Sequence, residues 1–401
     1  MTASVATPNA RAAAFKQIGF CWALGTHSGW GTYALNFAVQ CARNGISPAI
    51  FWSEKDLVLT EEQAAAIGDA LKEVPRWNAM LRQGPTTLDF PFLHALGDNL
   101  EFLYPTLDVK GKPDVGVIFF ETEGFTPANV ARAQRFDLIV AGSTWNKEVL
   151  ERQGLKRIAF CPQGVDLSRF TPRPRQNSFA GRFTVFSGGK LEIRKGQDIT
   201  IAAFKRFHAR HPDALLITAW NSPWPQIAES VAMSDHVKGA PAIGAAGELE
   251  VPQWLVANGI PEEAFVSLRT LPNVVVPDLL KEIDLAVFPN RCEGGTNLAA
   301  MECMAMGVPV VLSRNTGHRD LIRDGNCYTL DQQKSVGTIV NRPELADWGE
   351  SSVDELVERM EQAYSNRADA TARGAAGRAF MQSWDWANQI DLCLDAIRRI
   401  A

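Results

Sequence analysis

Short apolar runs alternate with stretches of helical periodicity along almost the whole chain, and the alternation starts twice. Ile18–Ala23 is the first run, followed by a glycine-rich loop from Gly25 to Gly31. A helical pattern comes next, with Tyr33, Phe37, Ala38 and Cys41 on one face, and Asn44-Gly45 closes it as helix C-termini commonly do. Ile46–Trp52 is the next apolar run. Such βαβ text calls for helices packed on a parallel sheet, an α/β architecture. Val115–Phe120, Leu138–Ala141 and Ile158–Cys161 read as further buried strands, with Ser143 capping a helix over Thr144–Gln153. Residues 53–112 are less regular, with helix-like text over Glu61–Glu73 and a Pro/aromatic stretch around Phe90-Pro91-Phe92.

Residues 171–182 (TPRPRQNSFAGR) are polar and rich in Pro and Arg, the composition of a domain boundary. The pattern then restarts with a strand at Phe183–Ser187, a turn at Gly188-Gly189 and a helix over Asp198–His208. Leu215–Trp220, Val274–Val276, Leu285–Phe288 and Val308–Leu312 read as strands, and Asp354–Tyr364 and Trp386–Ile400 as amphipathic helices. The 401 residues suit two domains of ordinary size. A net charge of −5 gives no overall basic field, so no nucleic-acid partner is expected. Seven cysteines without C-x-x-C spacing argue against a zinc or redox motif and fit a reducing compartment. No run of about 18 apolar residues is present, and residues 1–17 lack the apolar core of a signal peptide. The expected location is cytoplasmic, with peripheral contact at a membrane left open.

The chemistry concentrates in Asp284–Asp320. A strand ends at Pro289, the loop Glu293-Gly294-Gly295-Thr296 follows, and a helix runs from near Asn297 to Gly307. A helix start at the carboxyl end of a strand offers free N–H groups and a favourable dipole to a phosphate. Gly294 and Gly295 let the backbone approach closely. Glu302, further along the helix, is placed to accept hydrogen bonds from a ribose. Gly-Gly by itself is equally the plain turn of a crossover. A second loop, Ser187-Gly188-Gly189-Lys190-Leu191-Glu192-Ile193-Arg194-Lys195-Gly196, also joins a strand to a helix. Its lysines, with Gly189 beside them, suit a diphosphate at the carboxyl end of an α/β sheet.

At these residues the chain resembles glycosyltransferase family 4, whose retaining enzymes have the GT-B fold of two facing Rossmann-like domains with a deep cleft between them. That family's second domain carries G-R-L-x-x-x-K-G, two glutamates with seven residues between them, and E-A-M-A-x-G-x-P-V-V. Here Lys190 stands at the family's Arg and Lys195 at its Lys, and Glu302–Val311 (ECMAMGVPVV) matches the last element closely. The first glutamate departs from the pattern. Eight residues lie between Glu293 and Glu302, so either the loop carries one extra residue or Glu293 has a changed role. Cys161–Asp166 with Phe170 and Pro172, Ser143 with Trp145, and Ser383–Trp386 resemble further family motifs.

The resemblance implies domains at 1–173 (acceptor side) and 174–382 (nucleotide-sugar side), with 383–401 a helix crossing back to the first. It implies transfer of a sugar from a nucleotide diphosphate sugar to an acceptor hydroxyl with retention. The acceptor would be a glycan, a lipid-linked molecule or a small molecule. Lys190 and Lys195 would meet the charge on the departing diphosphate, assisted by backbone amides over Gly294, Gly295, Thr296, Asn297 and Leu298. Glu302 would hold the ribose and Glu293 a sugar hydroxyl. No D-x-D occurs, so neither a metal nor another cofactor is expected.

In the first half, Gly29-Trp30-Gly31-Thr32-Tyr33-Ala34 with Glu54 mimics a dinucleotide fingerprint, which keeps an NAD-dependent oxidoreductase as the alternative. Four residues separate the strand from Gly29, where a fingerprint turns at once. A nucleotide-sugar isomerase on the same scaffold is a further alternative. In the transferase reading, Gly29 and Gly31 face donor and acceptor. The family's His at an N-domain strand end is missing from Glu121-Thr122-Glu123, leaving Glu121 and His27 as candidates for the acceptor side.

Overall fold

The computed structural model describes residues 15–103, 108–222, 224–339 and 343–401. Two six-stranded parallel sheets organise them. The first contains β1 (Gln17–Phe20), β2 (Ser47–Ile50), β3 (Phe92–Leu96), β4 (Asp114–Ile118), β5 (Leu138–Ala141) and β6 (Ile158–Phe160), in the order β2-β1-β3-β4-β5-β6. The second contains β7 (Phe183–Gly188), β8 (Ala214–Ala219), β9 (Phe265–Ser267), β10 (Leu285–Phe288), β11 (Val310–Ser313) and β12 (Tyr328–Leu330), in the order β9-β8-β7-β10-β11-β12. Helices cover both faces of such sheets, so the strands read as continuous apolar runs rather than alternating ones. β3, β5, β7 and β10 are accordingly buried at every residue.

Helix α1 (Gly29–Arg43) packs Tyr33, Phe37 and Cys41 into the first core, and α2 (Thr144–Arg152) starts at the Ser143 cap. In the second lobe α3 (Gln197–His208), α4 (Leu298–Ala305) and α5 (Val353–Ser365) pack around β7–β12. The last helix, α6 (Trp386–Arg398), lies on the first lobe, where Trp386, Ile390 and Leu394 join its core and Trp386 stacks on Tyr33 at 5.7 Å. The chain passes between lobes twice, and the two passages pair: Val165 N–H donates to Trp384 O at 2.9 Å and Trp386 N–H to Val165 O at 3.3 Å. Among the described residues no helix is long and apolar enough to cross a membrane. All seven cysteines are buried free thiols.

Two readings of the sequence change. Val274–Val276 is not a strand but a 3₁₀ turn over Asn273–Val275 running into a helix over Val276–Leu280. Pro272 and Pro277 flank the valines; proline cannot donate to a sheet ladder but suits a helix's first turn. Phe92–Leu96, inside the stretch read as irregular, is a central strand, paired with β1 and β4.

Candidate active site between the lobes

The order of the second sheet reverses at β7, which has β8 on one side and β10 on the other. Ligands of open α/β sheets sit at such a point, outside the carboxyl ends of the strands. The loops leaving β7 and β10 meet there. Gly196, at φ 69°, lies so close that an added Cβ would stand 2.2 Å from Pro289 O, so only glycine lets the loops touch.

Their centre is Arg194, nearly sealed from solvent at 7% exposure. Its guanidinium donates to Cys292 O at 3.0 Å, to Glu293 Oε2 at 3.2 Å and to Glu192 Oε1 at 2.5 Å. It also reaches across the lobe boundary to Glu121 Oε1 at 3.2 Å. Burial alone would favour its neutral form; Glu121, Glu192 and Glu293 outweigh that and hold the charge firmly in place. Lys195 Nζ is 2.5 Å from Glu293 Oε1, to which Asn290 also donates. Burial lowers the lysine's pKa, against the opposing pull of Glu293. Glu293 feels burial too, but Lys195 and Arg194 prevail and bring its carboxyl down to about 2. Lys190 is more open, 3.3 Å from Glu192 Oε2, with the exposed Trp224 ring 5.7 Å from its ammonium.

Between Glu293 and α4 the chain turns on Asn297, a non-glycine at φ 66° whose side chain caps the helix and meets His318 Nε2 at 3.0 Å. Ahead of this turn, Glu293 reaches Lys195. His318 is fully buried, its other nitrogen 3.0 Å from Ser313 Oγ, and burial lowers its pKa to about 4. The loop also abuts the first lobe. Ser143 Oγ donates to Gly294 O at 2.7 Å, and a Cβ on Gly294 would lie 2.4 Å from Phe119 O.

Glu302 lies nine-tenths buried on α4 and accepts from Asn273 Nδ2 at 2.6 Å; burial lifts its pKa to about 7, moderated by Asn273 and Arg169. Asn273 N–H donates in turn to Thr26 O at 3.1 Å, in the glycine-rich loop of the first lobe. Gly29 faces Leu298, 3.8 Å from where its Cβ would be. Glu121 is 28% exposed, and burial raises its pKa to about 7 against the pull of Arg194.

The structure thus gathers Lys190, Lys195, Glu293 and Glu121 into one cluster, with Gly189 on its rim at φ 126°. Lys195 does not stand alone but pairs with Glu293. Thr296 is fully buried, and its hydroxyl contacts Met301 Sδ at 3.1 Å rather than open space. Gly294 serves the lobe contact, so Gly295 and Leu298 are the loop positions that stay partly open. Sequence reasoning passed over Arg194, although it stands beside Lys195, because its role appears only when three separate loops converge. Asn273 directly precedes the stretch read as a strand.

The glycine pattern of the first lobe is not a dinucleotide turn. Ser28 caps α1, so Gly29 and Gly31 lie within the helix's first turn. A Cβ on Gly31 would stand 2.9 Å from Gly25 Cα, so this glycine serves local packing. Glu54 accepts from Thr26 N–H at 3.0 Å and lies 3.1 Å from His27 Nδ1, bracing its own loop. One group of carboxylates and histidine elsewhere, Asp198, His236 and Glu350, brings its ligand atoms within 4.8 Å, but the Arg291 guanidinium pairs with both carboxylates.

Residues 182–347 match the family described as glycosyl transferases group 1. The chain carries a glycosyl transferases group 1 domain. This domain spans the β7 and β10 loops, Glu302 and Asn273. Over 285 residues the chain is 28% identical to a D-inositol 3-phosphate glycosyltransferase of Geodermatophilus obscurus, covering 64% of this chain and 58% of that protein. Over 243 residues it is 24% identical to a GDP-mannose-dependent alpha-(1-6)-phosphatidylinositol monomannoside mannosyltransferase of Mycolicibacterium smegmatis, covering 56% and 52%. The chain thus spans little more than half the length of these curated relatives. Among solved structures it resembles a glycosyltransferase of Rickettsia africae (TM-score 0.64, 11% identity, 96% and 99% of the two chains). It also resembles a sucrose-phosphate synthase of Thermosynechococcus elongatus (TM-score 0.63, 14% identity, 96% and 98%). The transferase domain and its partner lobe form the GT-B fold.

Proposed function

We propose that the chain transfers a hexose from a nucleotide diphosphate sugar to an acceptor hydroxyl, with retention at the anomeric carbon. One observation carries this reading: Lys190, Arg194, Lys195 and the start of α4 converge at the switch point of the second sheet and touch the first lobe through Glu121. Fixed cations aimed at a departing diphosphate stabilise the charge that grows as the C1–O bond breaks. Glu293 keeps Lys195 aimed, and Glu302 accepts the ribose hydroxyls. The acceptor oxygen bonds to C1 and its proton goes to the leaving phosphate, so no group is lost or gained elsewhere. Glu121 orients the acceptor from the opposite lobe.

By likeness to the relatives named above, the acceptor is a polyol or its lipid-linked form, and a lipid acceptor would bring a cytoplasmic enzyme to a membrane surface. The cations take the place of a carboxylate-held metal, so turnover should survive EDTA; loss of turnover with a chelator, restored by Mg²⁺, would refute that part. The whole reading is tested by thermal shift and product analysis with UDP-, GDP- and ADP-sugars and with NAD(H). Stabilisation by a nucleoside diphosphate and release of that diphosphate with glycosylated product are expected. Stabilisation by NAD(H) alone would favour the oxidoreductase, and an altered sugar still attached to nucleotide the isomerase.

A further inference from the structure

We propose that residues 344–350 form a strap that fixes Glu121 against Arg194, with Trp348 as its positioning residue. The inference rests on the transferase reading for its kinetic meaning, though not for its geometry. The strap leads into β14 (Gly349–Ser351), which pairs antiparallel with β13 (Gln333–Ser335). From this hairpin it crosses to the first lobe. Trp348 Nε1 donates to Glu121 O at 2.5 Å, and Glu123 N–H donates to Glu344 O at 3.0 Å. Asp347 accepts from the Trp145 indole at 2.7 Å and from Arg152 at 3.2 Å, and Arg152 also binds Glu123 at 2.7 Å.

The other end of the strap grips the donor loops. Gly349 N–H donates to Arg291 O at 2.9 Å, and Glu350 pairs with the Arg291 guanidinium. Arg291 N–H donates to Arg194 O at 2.7 Å, and its guanidinium reaches Ile193 O and Asp198. One short segment therefore holds the backbone of Glu121 and, through Arg291, the backbone of Arg194. The 3.2 Å contact between their side chains is the only place where a first-lobe carboxylate enters the described cation cluster. Glu121 has Asp98 on its own lobe, whose carboxylate accepts from Glu121 N–H at 3.0 Å, and Arg194, Glu192 and Lys190 on the other. An acid set between like and opposite charges is sensitive to a shift of a few tenths of an ångström, because Coulomb energy falls with distance.

The test is Trp348→Phe in the full chain, which keeps an aromatic ring and removes the donor. Infrared difference titration would follow the Glu121 carboxyl, its band identified by its loss in Glu121→Gln. With Arg194 less well aligned, the titration midpoint should move to higher pH. Acceptor kcat/KM should fall about tenfold, the worth of one well-placed hydrogen bond, while donor KM stays within about twofold. Trp348→Leu, which also carries no side-chain donor, should shift the same two readouts if Trp348→Phe folds poorly. An unmoved midpoint together with unchanged acceptor kinetics overturns the strap. If the wild-type chain transfers no sugar from any nucleotide sugar, the functional reading fails, and the infrared midpoint still decides the strap.

Discussion

The two lobes are built alike, and the loops at their facing edges are charged differently. In the second lobe, β7 is followed by Lys190, Arg194 and Lys195, and β10 by the helix start of α4. In the first lobe, β2 is followed by Glu54, β3 by Asp98, and β4 by Glu121 and Glu123. One architecture thus presents a cationic edge to a carboxylate edge. A diphosphate therefore has one lobe to settle on. At the meeting point the three cations (Lys190, Arg194, Lys195) are paired with Glu192 and Glu293 of their own lobe and with Glu121 of the first, so the second lobe's share of the cluster is net positive and Glu121 brings it near balance. The lobes also differ in strand order: the second places its third strand outside the second, while the first sends its third strand to the other side of β1.

The sharpest way to break the comparison is to remove the residue both lobes share. Arg194→Ala leaves Glu121, Glu192 and Glu293 without their common partner. Removing one member of a buried charge network costs about 3–5 kcal/mol. Denaturant unfolding should show that loss, with a lowered melting temperature. A variant as stable as wild type would mean that the lobes do not depend on this contact.

Lys195→Ala should do the reverse, sparing the fold and harming the chemistry. Glu293 keeps Arg194 and Asn290 as partners, so no buried charge is left alone. Turnover at saturating donor should fall about 10²–10³-fold, the usual effect of deleting one aimed charge. Near-normal turnover in a folded variant would remove Lys195 from the mechanism.

The contrast between these two residues also shows what could be read before the structure. The βαβ alternation, both sheets and the helix from Asn297 are written in short-range patterns, so apolar runs and caps revealed them. Lys190, Lys195 and Glu302 sit in local motifs and are singled out by the same short-range patterns. Arg194 occupies the same loop and was passed over, because its partners come from three separate segments and no spacing in the sequence announces them. β3 was missed because Phe92–Leu96 follows Pro91 directly and carries His94 within its apolar run. The valines after Pro272 misled because β-branched residues suggest a strand, whereas the prolines on both sides decide the backbone. The tie from Asn273 to both Glu302 and Thr26 joins segments far apart in the chain, so no local pattern announces it.

A smaller effect should separate the carboxylates by pH. Glu302 and Glu121 titrate near 7 and Glu293 near 2, against an unfolded value of about 4.3. A carboxyl raised by folding adds stability at low pH, and that contribution is lost as pH climbs from about 4.3 through 7. A depressed one acts oppositely, its contribution vanishing as pH drops from about 4.3 toward 2. Glu302→Gln should therefore flatten part of the decline in stability between about pH 4.3 and 7. The ionised carboxylate is the better acceptor for a ribose, so calorimetric affinity for UDP or GDP should rise from pH 6 to 8 in the wild type and stay level in Glu302→Gln. Equal pH dependence in both proteins would reject Glu302 as the ribose group.

The smallest effect belongs to Gly29, and it tests whether the first lobe's glycine loop touches substrate at all. Gly294 and Gly29 both lie where the lobes approach, but their surroundings differ. A Cβ on Gly294 would overlap the Phe119 carbonyl, whereas one on Gly29 would meet Leu298 Cδ1 at 3.8 Å, an ordinary contact. Gly29 is exposed and begins a helix, where alanine is the better former by up to about 1 kcal/mol. Gly29→Ala should thus melt at or slightly above the wild-type temperature. The added methyl occupies the gap beside the start of α4, where donor and acceptor would meet, so KM for one or both substrates should rise a few-fold with kcat little changed. If both KM values match wild type, the substrates pass elsewhere and the glycine loop serves only to seat α1. If stability falls sharply, the lobes close more tightly at Gly29 than the 3.8 Å spacing allows.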